Sequence, residues 1–175
     1  MRRLQGQALL SPPPVSSLGT WRHLATRLLS VVSSTGLKPG EVDEIRGWLS
    51  AFESDSFLAQ PSYDQRHGLE AARHVARQHP LRRDLVRTAL LHDVGKRQAG
   101  LGPIGRSLAS AYTKLGGISK GKWRSYLEHG HAGAIELDIL GAEPMVVDFA
   151  RHHHGERPDS ISEADWSVLQ EADRA

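Results

Sequence analysis

Residues 90–96 read Leu-Leu-His-Asp-Val-Gly-Lys and contain the most informative pair of the chain, His92 and Asp93. The pair follows an apolar helical segment and places an imidazole beside a carboxylate. Both groups are common metal ligands, so together they can hold a metal ion at a helix end. A single His-Asp pair is a weak signal, and its meaning depends on the other His and Asp residues of the chain.

The composition is typical of one soluble globular domain. The chain has 175 residues, of which 39% are hydrophobic and 24% are charged. It contains no cysteine, which excludes disulfides, thiolate zinc sites and cysteine nucleophiles, so any metal must be bound by His, Asp or Glu. The apolar stretch within residues 1–10 is too short for a signal peptide, and no apolar run approaches about 18 residues. We therefore expect a soluble cytoplasmic protein that does not enter a membrane.

Basic residues are concentrated in the middle of the chain. Residues 66–127 contain 13 basic and 3 acidic side chains, whereas residues 128–175 contain 3 and 11. Such a cluster favours a phosphate-bearing partner, but a solvated basic face that pairs with the acidic final third explains it equally well. Lys96 and Arg97 stand out because they adjoin the His-Asp pair. The four tryptophans are not interleaved with a basic repeat, so nucleic acid is not an expected partner.

The apolar residues recur at helical spacing almost everywhere, and no stretch alternates with period two. This pattern predicts a single all-α bundle of about seven helices without an internal repeat. Gly95 is expected to cap the fourth helix, and the glycine-rich segment 100–121 is expected to form a loop with a shorter helical part. Residues 1–17 are predicted to be a disordered lead-in, residues 18–57 to form helices that pack on the core, and residues 58–175 to form the main domain. The predicted helices cover residues 21–32, 41–52, 62–78, 82–94, 128–140, 144–153 and a last segment that begins at Ser162.

The remaining His and Asp candidates fall on different predicted helices. They are His67, His129, the triple His152-His153-His154 and Asp173. Helices that converge on one interior site are how bundles build metal centres, and imidazoles mixed with carboxylates suit manganese, iron, zinc or cobalt better than magnesium alone. An aspartate between two ions could bridge them, and a two-metal site lowers the pKa of a shared water. His74 lies two turns after His67 and is a candidate partner of a ligand, whereas His23, His79 and His131 belong to no motif.

The ordered set of motifs resembles the HD superfamily of metal-dependent phosphohydrolases, and it is most similar to the HDIG-type branch. The resemblance covers roughly residues 60–175, which we interpret as a single HD-domain helical bundle with a metal site between the helices. The set as a whole is a specific signal. In chain order it consists of His67, His92-Asp93-Val94-Gly95-Lys96, His129 with Gly133-Ala134, His153-His154-Gly155 and Ala172-Asp173-Arg174.

The resemblance implies a role for each matched position. It assigns a first metal site to His67, His92, Asp93 and Asp173, and it makes Asp93 a bridge to a second ion. That second ion would be bound by His129 and one histidine of the triple. Family members have a paired histidine followed by Gly or Glu, which favours His153, with His152 or His154 as the alternative. One or two divalent ions of the manganese, iron, zinc or cobalt class are expected.

The implied function is that of a metal-dependent phosphohydrolase acting on a phosphomonoester or phosphodiester, such as a nucleotide or a related small molecule, through metal-activated water. Asp93 is expected to orient the nucleophile. Lys96 is expected to contact substrate phosphate and to stabilise charge in the transition state. Arg97 and Arg106 are further predicted substrate contacts.

Two features separate this chain from known branches of the family. HD-GYP proteins continue past the paired histidines to a Gly-Tyr-Pro motif that residues 155–160 lack, and hydrolases of guanosine alarmones have acidic residues where this chain has Val94-Gly95-Lys96. Two other functions stay open. The His-rich site would also suit an HD-fold di-iron oxygenase, and a non-catalytic domain that binds a nucleotide is the third hypothesis. The sequence does not indicate the oligomeric state.

Overall fold

A computed structural model describes residues 36–114, 116–117 and 120–175. The predicted lead-in and the first predicted helix lie within residues 1–35, outside this part. The described residues form nine α-helices and no strand, which confirms the predicted all-α class, and none of these helices is long and apolar enough to cross a membrane. The helices are α1 Pro39–Trp48, α2 Ala51–Leu58, α3 Ser62–Gln78, α4 Arg83–Leu91, a 3-10 helix Val94–Ala99, α5 Pro103–Lys114, α6 Lys122–Leu127, α7 His129–Ile139, α8 Pro144–His152 and α9 Glu163–Arg174.

The structure has more helices than the periodicity predicts because one predicted helix is divided and two helices, α5 and α6, lie between the fourth and fifth predicted helices. The pattern over residues 41–52 runs across the junction between α1 and α2, where Ser50 begins a new helix. The Ser50 side chain accepts a hydrogen bond from the backbone N–H of Glu53, whose carboxylate in turn accepts from the backbone N–H of Ser50. This reciprocal capping box satisfies two backbone donors that a helix start leaves open. Helix α5 is the shorter helical part expected within the glycine-rich segment 100–121, and the short helix α6 begins at Lys122, directly after that segment.

The core lies between α3, α4, α7, α8 and α9. Helix α3 packs along α4, α7 packs along α8, and α9 covers α3 and α4. The amphipathic helices direct their apolar faces inward, which removes large side chains from water and supplies most of the stabilising free energy. Fully buried members of this core include Phe57, Leu69, Leu90, Phe149 and Leu169.

The 3-10 helix is held against α7 by a close approach of two glycines. A Cβ atom at Gly95 would lie 2.1 Å from the carbonyl oxygen of His129 and 2.5 Å from the amide nitrogen of Gly133. The expectation that Gly95 caps the fourth helix is wrong, because α4 ends at Leu91 and the chain continues into the 3-10 helix. The glycine with a positive φ, 56°, is Gly100, which follows the 3-10 helix. Gly95 is required for the contact that places His92 and Asp93 beside α7.

Gly95→Ala should lower the free energy of unfolding by about 3 kcal/mol or more, because its methyl group would overlap backbone atoms that cannot move independently. Gly47→Ala is the matched control, since a Cβ atom there meets nothing within 4 Å and Gly47 lies within α1. It should leave stability unchanged or raise it by up to about 1 kcal/mol. Urea unfolding of both variants measures this, and equal stability of the two would contradict the packing described for Gly95.

Candidate metal centre

The fold brings His and Asp side chains from five helical segments together in the interior of the bundle. His67 lies in the middle of α3, His92 and Asp93 directly follow α4, and His129 is the first residue of α7. The other contributions come from the residues that follow α8 and from the last turn of α9. His92, Asp93, His129 and His153 are each no more than 3% exposed. These four polar side chains are therefore buried among helices, where they need compensating partners.

The ligand atoms form two groups that share Asp93. In each group the atoms lie within 4.8 Å of one another. One group consists of His67, His92, Asp93 and Asp173, and the other consists of Asp93, His129, His153 and His154.

The two carboxylate oxygens of Asp93 face different groups. Oδ1 lies 3.3 Å from Nε2 of His129 and 3.4 Å from Nε2 of His153. Oδ2 lies 3.3 Å from Nε2 of His92 and 3.8 Å from Nε2 of His67. Asp93 therefore occupies the position of a bridging carboxylate between two potential ions.

Backbone contacts orient three of the histidine rings. Nδ1 lies 2.8 Å from the carbonyl oxygen of the residue three positions earlier in His92, 2.5 Å in His129 and 2.8 Å in His153. A carbonyl oxygen only accepts hydrogen bonds, so Nδ1 carries the proton. In a neutral ring this leaves the lone pair on Nε2, the atom directed at Asp93, which is how protein histidines are commonly prepared for metal binding.

The group around Oδ1 fits a metal ion. Oδ1 of Asp93, Nε2 of His129 and Nε2 of His153 are all buried, and none of them makes a hydrogen bond to the described residues. When both rings are neutral and carry their proton on Nδ1, these three atoms direct lone pairs at one another. Ligand atoms about 2.1 Å from a shared ion are separated by about 3.0–3.4 Å at octahedral or tetrahedral angles, which agrees with their spacing.

The second group is completed by α9. Oδ1 of Asp173 lies 3.0 Å from Nε2 of His92 and 3.3 Å from Nε2 of His67. Although Asp173 is close to the last residue of the chain, α9 continues to Arg174 and packs on both α3 and α4. The geometry thus places a carboxylate and two imidazoles on the Oδ2 side of Asp93.

The electrostatics of the centre keep most ligands in the form that binds metal. Burial lowers the pKa of His67 and of His129, so both are neutral near neutral pH. Burial alone would raise the pKa of Asp93, but the charges of His92 and Lys96 hold it well below its usual range. The pKa of His92 behaves differently: burial opposes its charged form, yet Asp93 and Asp173 raise the pKa to about 10. In the absence of an ion, His92 is therefore a cation between two carboxylates.

The triple histidine contributes two residues to one group. Helix α8 ends at His152, which belongs to neither group. His153 and His154 follow the helix, and their ring centroids are 3.9 Å apart. The sequence motif favours His153 and offers His152 or His154 only as substitutes, whereas the structure brings His153 and His154 to Asp93 together. The end of the helix makes this possible, because consecutive residues on a helix point in different directions.

The predicted substrate contacts differ in their surroundings. The Lys96 ammonium is buried and pairs with Oδ2 of Asp93, and Arg97 pairs with Glu136 at the surface of α7. Arg106 is buried and pairs with Asp64. Four of the 13 basic residues in segment 66–127 pair with carboxylates of the acidic final third, namely Arg82, Arg87, Arg97 and Arg124. Counting carboxylates anywhere in the described residues, eight of the 13 form such pairs. They are Arg66, Arg73, Arg82, Arg87, Lys96, Arg97, Arg106 and Arg124.

An open cavity of about 210 Å³ adjoins the group that contains His153 and His154. Sequence reasoning missed two of its basic lining residues, Arg151 and His131. Arg151 lies two residues before His153 in the sequence, but helix geometry alone does not show that both side chains reach one cavity. The remaining lining residues of the cavity are Leu127, Glu128 and Gly130.

His74, the candidate partner of a metal ligand, lies elsewhere on α3 and contacts Gln78 and Glu171.

No family model, curated protein or solved structure matches this chain. What the centre can do is therefore inferred from its own residues.

His153→Ala should weaken the binding of Mn²⁺ or Co²⁺ by about a hundredfold or more. Loss of a residue that only hydrogen-bonds to a metal ligand already weakens binding by about tenfold to a hundredfold. His152→Ala is the matched control from the same triple, and it should bind these ions like the wild type because His152 belongs to neither group. Calorimetric titration of the full chain measures both affinities. Equal weakening by the two substitutions would show that the triple does not distinguish its members as described.

Metal binding should release about one proton from His92 near neutral pH. The raised pKa of His92 means that this ring is charged before binding, and it must become neutral to bind an ion. The raised pKa also affects the stability of the metal-free protein. Charged His92 stabilises the fold at pH values below its pKa in the unfolded chain, and this stabilisation is lost as the pH rises towards about 10. Calorimetry in buffers of different ionisation enthalpy counts the protons, and a binding heat independent of the buffer would contradict the charge state of His92.

Proposed function

We propose that this chain is an HD-superfamily metal-dependent phosphohydrolase that binds two divalent transition-metal ions. The observation that carries the proposal is the placement of Asp93, whose two oxygens face two separate groups of imidazoles. The motif order of the sequence supports the same family. Two ions about 3.5–4 Å apart on one bridging carboxylate are a common arrangement in hydrolases of phosphate esters.

The ions would be bound by His67, His92 and Asp173 on one side of Asp93, and by His129, His153 and His154 on the other. When bound, they would supply a water of lowered pKa and a positive field for the phosphoryl oxygens. The protein residues have complementary tasks. The backbone carbonyls that accept from Nδ1 fix the direction of three rings, and Asp93 would orient the attacking water. The helices around the centre exclude bulk water, which strengthens these electrostatic interactions.

The position of Lys96 supports a reaction on a phosphate ester. Its ammonium is buried beside Asp93, within the centre, where it would stabilise negative charge that develops on a phosphoryl oxygen. Arg151 and His131, at the adjoining cavity, add basic groups on the side from which a substrate would approach. A small phosphate-bearing molecule such as a nucleotide is the substrate class that we propose for this site. This set of basic groups suits an anionic phosphate ester, which is why we favour the hydrolase over the oxygenase.

The protein loaded with Mn²⁺, Fe²⁺ or Co²⁺ should hydrolyse at least one member of a panel of phosphomonoesters, nucleotides and cyclic dinucleotides. Lys96→Ala should retain the ions but lower turnover by about a hundredfold or more, as expected when one transition-state contact is removed. The measurement is product release by chromatography together with metal content by elemental analysis.

Two controls separate the outcomes of this experiment. Asp93→Ala should lose both the ions and the activity, which shows that the activity belongs to this centre. Ions bound without hydrolysis of any panel member, or oxygen consumption by the reduced iron form, would contradict the proposed function. Full turnover by Lys96→Ala would contradict only the role of Lys96 and would leave the proposed hydrolase function in place.

A further inference from the structure

Arg106 is buried at the junction of three segments that surround the metal centre. The residue is 7% exposed, and it lies on α5, which contributes no residue to either metal group. Three donor groups of the guanidinium are engaged by the protein. Nη1 donates to both carboxylate oxygens of Asp64 at 2.8 Å, Nε donates to the carbonyl oxygen of Leu101 at 2.9 Å, and Nη2 donates to the carbonyl oxygen of Lys96 at 3.3 Å.

The guanidinium also lies over two aromatic rings. Its central carbon is 5.0 Å from the ring centroid of Tyr63 and 5.6 Å from that of Tyr126. Both distances are within the range of cation–π attraction. Arg106 thus connects α3, the 3-10 helix and α6, three segments that do not adjoin one another in the sequence.

Each of these connections ends next to a residue of the centre. Asp64 lies one helical turn before His67, and the Lys96 carbonyl belongs to the residue whose ammonium pairs with Asp93. The third connection is the most direct. The Tyr126 ring stacks on the His129 ring, with centroids 5.6 Å apart and planes 22° apart, and the Tyr126 carbonyl oxygen is the acceptor for Nδ1 of His129.

We propose that Arg106 is a positioning residue, which holds Tyr126 and thereby fixes the ring orientation and the Nδ1-protonated form of His129. In this role it holds protein groups rather than substrate, since each of its three nitrogens donates to a protein acceptor. Partners of this kind determine which nitrogen of a histidine is available to a metal. The inference concerns the preparation of the metal centre, so it holds whatever reaction the centre performs.

Arg106→Lys tests the proposal in the full chain. Lysine keeps the positive charge beside Asp64, but it lacks the planar fork that reaches several acceptors and stacks on the rings. In two-bond proton–nitrogen spectra of the metal-free protein, the His129 ring should change from a single tautomer, with the proton on Nδ1, to a mixture of the two tautomers. His153 is an internal reference, because the Ala150 carbonyl that fixes its Nδ1 has no contact with Arg106. The affinity for Co²⁺ should fall by about tenfold to a hundredfold.

Arg87→Lys is the matched control. Arg87 also pairs with a buried carboxylate, that of Glu53, but its other ion pair is with Glu143 and it contacts neither metal group. Tyr126→Leu is the second test if Arg106→Lys does not fold, because it removes the ring while keeping the backbone carbonyl. A His129 spectrum that is unchanged in Arg106→Lys or Tyr126→Leu would overturn the proposal. It would also be overturned if His129 and His153 changed together, or if Arg87→Lys had the same effect.

Discussion

The centre depends on one buried carboxylate, Asp93, which is 2% exposed and needs positive charge around it. An ionised carboxylate in a protein interior is very unfavourable unless cations or hydrogen-bond donors compensate it. On the Oδ2 side, Lys96 and the charged His92 provide this compensation. On the Oδ1 side the neighbours are two imidazole nitrogens that offer lone pairs, and no donor among the described residues reaches this oxygen. A cation bound there would compensate this side of the carboxylate.

The fold serves this arrangement by bringing backbones unusually close. Asp93 belongs to a short connection between α4 and the 3-10 helix, and it reaches His129 because Gly95 lets the connection approach the backbone of α7. Helix α9 closes the opposite side with Asp173. The candidate ligands are thus positioned by the packing of the helices that carry them. In His92, His129 and His153 the ring nitrogen that does not face Asp93 is held by a backbone carbonyl. Such pre-arranged rings lose little conformational entropy when an ion binds.

The sequence predicts the all-α class well because apolar residues at helical spacing directly record which face of each helix is buried. It also places the candidate ligands on separate helices, since each lies at a recognisable position in a motif. Local patterns do not reveal contacts between distant residues. Arg106 finds Asp64 across 42 positions, and the partner of Gly95 is the backbone of another helix. The joint use of His153 and His154 depends on where α8 ends, and the boundary of a helix is the part of a prediction that periodicity determines least.

A crystal structure of the full chain with Mn²⁺, with anomalous scattering recorded to locate the ions, tests the bridging role of Asp93 most directly. Two anomalous peaks should lie about 3.5–4 Å apart, one on each side of Asp93 and each in contact with one of its oxygens. His129, His153 and His154 should surround one peak, and His67, His92 and Asp173 the other. A single peak bound by one oxygen of Asp93, or ions bound away from Asp93, would contradict the claim that this carboxylate bridges two metal ions.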